Sequence, residues 1–314
     1  MVRMMGLEPI LLAEPDSKSG ASANSATPAT PKNFLNIFLY SNKIITCTVK
    51  KVNENGVINL RFIGVIFFIA AIFFIIINAL PAPEGFPILE YHTVTKNPDP
   101  SSEIYNVPPA EFSAQLDYLQ ENGYTTITLN DYIKARRFGD PLPEKPIVLT
   151  FDDGYIDNYT EMLPILEAHK MTAVIYVITN FLGKPGYLTF EQVQDMQRRG
   201  LEIGLHGADH IPLPILDGEF LDNQIIKSKI LLEWSGLDPI GSISYPNGAY
   251  DDRIIEMLKA ENYLTAVTGE VGLNNFETDP YKLRRVHIRK PRFGILEFRW
   301  RLLKANIFER LKNL

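Results

Sequence analysis

Between residues 87 and 288 short aliphatic runs alternate with longer segments that carry helix start and stop signals, and few folds accommodate that pattern. Runs at 87–91, 125–128, 147–151, 173–178, 201–205, 242–245, 264–268 and 286–288 read as buried strands. Helix-like segments lie between them at 109–122, 130–137, 158–169, 190–199, 218–235 and 251–262. Asn130 and Thr189 stand at N-cap positions, while Gly123 and Gly200 close two of the helices. Such alternation predicts parallel strands covered by helices, in a doubly wound open sheet or in a barrel.

Two of the strands end in unusual polar sequence. The run 147–151 leads into Asp152-Asp153-Gly154, and the run 201–205 leads into His206-Gly207-Ala208-Asp209-His210. In an alternating β/α barrel, chemistry gathers at the C-terminal ends of the strands. These two ends would offer carboxylates and imidazoles to one mouth. One carboxylate and two histidines supply three ligands to a catalytic zinc-like ion and leave a position open for water. The other carboxylate is then free to take a proton from that water. Alone, Asp-Asp-Gly suits a solvated turn, and a histidine pair four residues apart is a common accident. Their joint occurrence at two predicted strand ends points to a metal-assisted hydrolase.

Thr150-Phe151-Asp152-Asp153-Gly154 and the His206/His210 pair resemble the first two motifs of the polysaccharide deacetylases, the NodB-homology carbohydrate esterase family. Ser244-Tyr245-Pro246-Asn247-Gly248 looks like a variant of the third motif. Glu90-Tyr91-His92-Thr93-Val94 resembles the subgroup that trims exported poly-N-acetylglucosamine. The resemblance covers residues 86–300 and favours a distorted, incomplete β/α barrel. It implies Asp153, His206 and His210 as metal ligands, Asp152 as catalytic base, and the Asn247 N–H as a donor to the oxyanion. The implied metal is zinc, with nickel or cobalt also compatible with two nitrogens and an oxygen.

Several positions depart from the family pattern. Gly207 replaces a loop-bracing Ser or Thr, and Ser244 replaces an arginine that orients the base; Arg285 is the expected substitute from the last strand. The family's aspartate–tryptophan pair is not found, which leaves the general acid open between His287 and His92. His169, on a helix face, is expected at the surface.

Composition narrows the function further. A hydrophobic share of 46% and a charged share of 22% suit a globular domain, and a net charge of −6 argues against nucleic acid as a partner. The single cysteine, Cys47, excludes zinc-finger spacing. Residues 61–80 are expected to form a transmembrane helix, because Phe62 to Ile77 is uninterrupted apolar sequence that Ala79 and Leu80 extend far enough to cross a membrane. Lys50, Lys51 and Arg61 precede it while Glu84 and Glu90 follow, so the catalytic domain is expected outside a single-pass anchor at the cell membrane. A cleaved signal peptide is the competing reading. Residues 1–60 include a Ser/Ala/Thr/Pro-rich tract and are expected to be a disordered cytoplasmic segment, unless translation starts near Val49 or Val57. Residues 81–85 form a short linker. The C-terminal residues 301–314, with the turns just before them, suit a basic amphipathic helix that packs on the barrel or lies on an anionic membrane.

The expected activity is removal of N-acetyl groups from an N-acetylglucosamine-containing polysaccharide. An O-acetyl carbohydrate esterase would use the same centre. A non-catalytic glycan-binding protein on this fold is disfavoured by the presence of both Asp152 and Asp153. The sequence does not distinguish peptidoglycan, poly-N-acetylglucosamine or chitin-like chains.

Overall fold

The computed structural model describes residues 85–312, together with Gly64, Val65, Phe68, Ile69 and Ile72. The chain divides into two compact units, Met1–Ala71 and Ile72–Leu314, and the second carries the elements below. The expected disordered segment and the membrane-spanning stretch lie outside the described residues, apart from those five positions, which are helical. Among the described residues no helix is long and apolar enough to cross a membrane.

The strands are β1 (Ile88–Tyr91), β2 (Thr125–Thr126), β3 (Pro146–Phe151), β4 (Val174–Val177), β5 (Glu202–Leu205), β6 (Ser242–Ser244), β7 (Thr265–Val271) and β8 (Leu283–His287). All pair in parallel, and β1 bonds to both β8 and β3. Seven strands therefore close into a ring, which removes the open-sheet alternative. Strand β2 is shorter than its sequence suggests and adds only two residue pairs at the start of β3.

The outer helices are α1 (Pro109–Glu121), α2 (Leu129–Phe138), α3 (Leu163–Ala168), α4 (Phe190–Arg198), α5 (Gly218–Asp222), α6 (Ser228–Trp234), α7 (Asp252–Ala260) and α8 (Ile295–Lys312). Their starts follow capping chemistry. Thr189 and Gln192 form a reciprocal capping box at α4, as Thr189 predicted. For α2 the cap is Thr128, boxed with Asp131, and not Asn130, which lies inside the first turn. Asn130 is occupied differently: its N–H donates to Glu202. His169 is also not a solvated surface residue. Its Nδ1 lies 2.7 Å from Ile165 O and its Nε2 3.1 Å from Asp117, so it joins the end of α3 to α1.

The strand period of two explains the interior. Ile88, Val148, Val174, Val267 and Leu283 belong to one apolar cluster, while their neighbours Leu89, Leu149, Ile175, Ala266 and Val286 join the separate cluster under the helices. Two residues further along, the inward positions turn polar: Glu90, Thr150 and Arg285 are all buried. Two further on they become His92, Asp152 and His287. The sheet thus carries its site at the C-terminal ends of its strands, above an aliphatic floor. Gly204 in β5 belongs to this packing, because a Cβ there would lie 2.4 Å from the Tyr176 ring.

At the other end of β5, Glu202 is buried and accepts hydrogen bonds from Asn130 N–H and the Ser242 hydroxyl. Burial pushes its carboxyl up from 4.5 to about 7, against the opposing pull of those bonds. A carboxyl raised in the folded state stabilises the fold below the unfolded value, and that stability is lost as pH rises towards about 7. The difference corresponds to roughly 3 kcal/mol. Glu202→Gln is therefore expected to gain stability over wild type between pH 5 and pH 8, measured as urea midpoints. An advantage that does not change with pH would contradict a buried, titrating Glu202.

Candidate active site

Asp152 and Asp153 follow β3 directly and point to different partners. Asp153 has a left-handed backbone, φ 74°, a strained conformation for a non-glycine residue that is typical of functional turns. Its Oδ1 is buried and makes no hydrogen bond among the described residues. His206 Nε2 stands 3.5 Å from that oxygen and His210 Nε2 stands 3.6 Å from it.

The tautomer of His206 follows from its other nitrogen. Nδ1 lies 2.7 Å from the Ser244 carbonyl, which can only accept, so Nδ1 carries a hydrogen and the neutral form of the ring keeps its lone pair on Nε2. Burial, reinforced by the neighbouring His206, holds His210 below the usual histidine pKa despite Asp153 nearby. With its hydrogen on Nδ1, each neutral ring would turn a lone pair on Asp153 Oδ1, an arrangement that a positive charge between the three atoms would stabilise. Ligands about 2.1 Å from a tetrahedral cation stand roughly 3.4 Å apart, close to the separations seen here. The three donor atoms lie within 4.8 Å of each other. This donor set fits a divalent metal.

Asp152 turns the other way, into a buried polar lattice. Its Oδ1 accepts from Arg285 Nη1 at 2.9 Å and its Oδ2 accepts from the Ser244 hydroxyl at 3.0 Å. Arg285 also bonds Glu90 at 2.9 Å and the Thr268 carbonyl at 3.0 Å. Burial by itself would raise the Asp152 pKa, but Arg285 and then His206 hold the carboxyl far below the ordinary range. Arg285 is itself held firmly protonated: burial opposes its charge, but Asp152 and Glu90 outweigh it. Asp152 Oδ2 remains 3.9 Å from His206 Nε2, beside the candidate metal position.

The remaining predicted residues reach the same cavity, of about 510 Å³, by different routes. Asn247 has a left-handed backbone, φ 57°, and its N–H takes no part in the turn's own bonds, Gly248 N–H to Tyr245 O and Ala249 N–H to Pro246 O. His287 has an acceptor close to each ring nitrogen, but among the described residues only Nε2 makes a hydrogen bond. Nε2 lies 3.0 Å from the Gly269 carbonyl, and Nδ1 lies 2.8 Å from Glu90 Oε1, close but poorly aligned as a hydrogen bond. His92 stacks on Tyr105 at 4.7 Å, and its buried Nδ1 has no partner among the described residues. His92 is near enough for its charge to act on both Asp152 and His210.

Two residues that sequence reasoning passed over complete the site. Glu90 bridges Arg285 and the His287 ring; its signal was an acidic residue in an aliphatic strand, two positions before His92. Gln224 occupies the space left by Gly207. Its Oε1 accepts from Ala208 and Asp209 N–H at 2.8 and 3.0 Å, and its Nε2 donates to the Asp209 carboxylate. A Cβ at Gly207 would lie 3.1 Å from that Oε1, so the amide takes over the bracing that the family assigns to a hydroxyl. Its distance in sequence from the histidines hid it. Gln224→Ala is expected to weaken metal affinity about 10–100-fold, the usual effect of losing a residue that orients ligands. Titration with a metal-sensitive dye checks this, and unchanged affinity would remove Gln224 from the site's support.

Similarity to known proteins agrees with the geometry. The polysaccharide deacetylase family pattern matches residues 139–266. The Bacillus subtilis protein named "Putative polysaccharide deacetylase YxkH" is 32% identical over 206 residues, covering 66% of this chain and 72% of that one. The chain belongs to the polysaccharide deacetylase family. Another relative in the family, the poly-beta-1,6-N-acetyl-D-glucosamine N-deacetylase of Staphylococcus epidermidis, is 26% identical and covers 68% of this chain and 82% of its own length. The Streptococcus pyogenes deacetylase PplD, solved in complex with acetate, superposes with a TM-score of 0.64 at 26% identity, covering 71% of this chain and 99% of that one.

Proposed function

We propose that this chain removes N-acetyl groups from an N-acetylglucosamine-containing polysaccharide by metal-assisted hydrolysis at the cell surface. The observation that carries the reading is the buried Asp153 Oδ1, without a hydrogen-bond partner among the described residues, facing two histidine Nε2 atoms. Asp153, His206 and His210 would hold the cation; two nitrogens and an oxygen suit zinc, with nickel or cobalt as alternatives. Bound there, the cation would acidify a water in the open position and offset charge on the substrate's amide oxygen.

This chain's own residues do the rest. Arg285 keeps Asp152 anionic at neutral pH, so Asp152 can accept the proton given up by the attacking water; a weak base suffices for an acidified water. The Asn247 N–H, which makes no bond in its turn, would donate to the amide oxygen as it gains charge. His92 gives a proton to the nitrogen as the carbon–nitrogen bond breaks, leaving acetate and a free amine. His287 is less suited to that role, because its Nε2 already bonds the Gly269 carbonyl. Tyr155 and Tyr187 stack at 5.3 Å on one wall of the cavity and offer flat apolar surface to a pyranose ring.

Acetate release from matched N-acetyl and O-acetyl oligosaccharides, with and without chelator, tests the proposal. The expected result is chelator-sensitive release from the N-acetyl series. Release from the O-acetyl series alone would replace it with the esterase reading.

A further inference from the structure

Helix α8 has two apolar faces. Phe298, Leu302 and Ala305 are buried against the barrel, where the helix meets α1 and β8. Leu296, Trp300 and Leu303 repeat at the same spacing of four and three residues, but offset by two. An offset of two residues turns about 200° around a helix. The second stripe therefore faces away from the barrel.

That outward face is open. Leu296 is 64% exposed, Trp300 57% and Leu303 47%, and Phe293 just before the helix is 75% exposed. Arg299 and Lys304 are exposed on opposite borders of the stripe, and Arg292 is exposed beside Phe293. Every exposed side chain from 292 to 308 is thus a large apolar group or a cation. The acids of the segment are engaged: Glu297 accepts from Arg301 and from the Arg292 N–H, and Glu309 pairs with Arg284.

We propose that the outward face of α8 seats on an anionic lipid surface, with Trp300 at the level of the headgroups. The charge pattern favours this occupant over another protein surface. A stripe of aromatic and aliphatic groups flanked on both sides by cations, with no exposed carboxylate, matches the requirements of a helix lying in a membrane interface. The two sequence-level expectations for this helix are therefore compatible, since one face packs on the barrel while the other meets lipid. This inference rests on α8 alone, so it stands or falls independently of the proposed chemistry.

The chain's two tryptophans, Trp234 and Trp300, make the test local. In full-length protein carrying Trp234→Phe, Trp300 is the sole tryptophan reporter. Its emission is expected to be quenched by acyl-brominated lipid in phosphatidylglycerol-containing vesicles, and to a much smaller extent in purely phosphatidylcholine vesicles. Arg299→Glu with Lys304→Glu should abolish the quenching. In the reciprocal Trp300→Phe protein, Trp234 should remain unquenched in both. Absence of quenching in anionic vesicles, or equal quenching in both vesicle types, would overturn the proposal. A concentration-dependent blue shift of Trp300 without lipid would also overturn it, by identifying a second copy as the occupant.

Discussion

Replacing His206 or His210 with Ala is expected to abolish metal binding and acetate release together. Both Nε2 atoms face the same Asp153 oxygen, and a site with three protein ligands has no spare donor to compensate. His206 is further committed by the Ser244 carbonyl, which holds its Nδ1 and orients the ring. Metal content by mass spectrometry, read alongside activity, checks the expectation. Both variants retaining metal at wild-type stoichiometry would show that the site has been misplaced. Asp153→Asn belongs to the same class, because it exchanges an anionic ligand for a neutral one.

Asp152→Asn is expected to separate chemistry from metal binding. The amide keeps the shape of the carboxylate and can still meet Arg285 and Ser244, but it accepts no proton at neutral pH. Loss of a general base costs about 10²–10⁴-fold in rate, so kcat should fall by that order while metal affinity and substrate KM change little. The neighbouring aspartates then give opposite profiles, one losing turnover and the other losing metal. Equal metal loss in the two variants would end this division of roles, and near-normal turnover by the Asp152 variant would remove it as the base.

The parts of the site that could be read from the sequence are those fixed by local pattern. Each of the two polar strand ends follows an aliphatic run, and the strand period alone brings Asp152 inside with Thr150. Arg285 was also accessible, because the loss of an arginine at Ser244 leaves a buried carboxylate that needs a cation from elsewhere. What could not be read depends on residues far apart in the chain. Gln224 sits on the helical segment after α5 and meets the histidine loop only through the fold. Closure of the ring was likewise undecided, since β1 pairing with β3 leaves no trace in the alternation of strands and helices. At α2, Thr128 competes with Asn130 for the cap, and the two-residue difference is set by where Asp131 can reach back. The C-terminal helix was legible as apolar and basic, but only its packing separates the inward stripe from the outward one.

The proposed activity depends on one metal ion held by Asp153, His206 and His210. The most direct measurement is a titration of chelator-treated protein with zinc, following acetate released from an N-acetylglucosamine oligosaccharide. No release is expected without metal, and recovery should saturate at one equivalent, with no recovery in His206→Ala. Release that persists in metal-free protein, or recovery that His206→Ala shares, would contradict it.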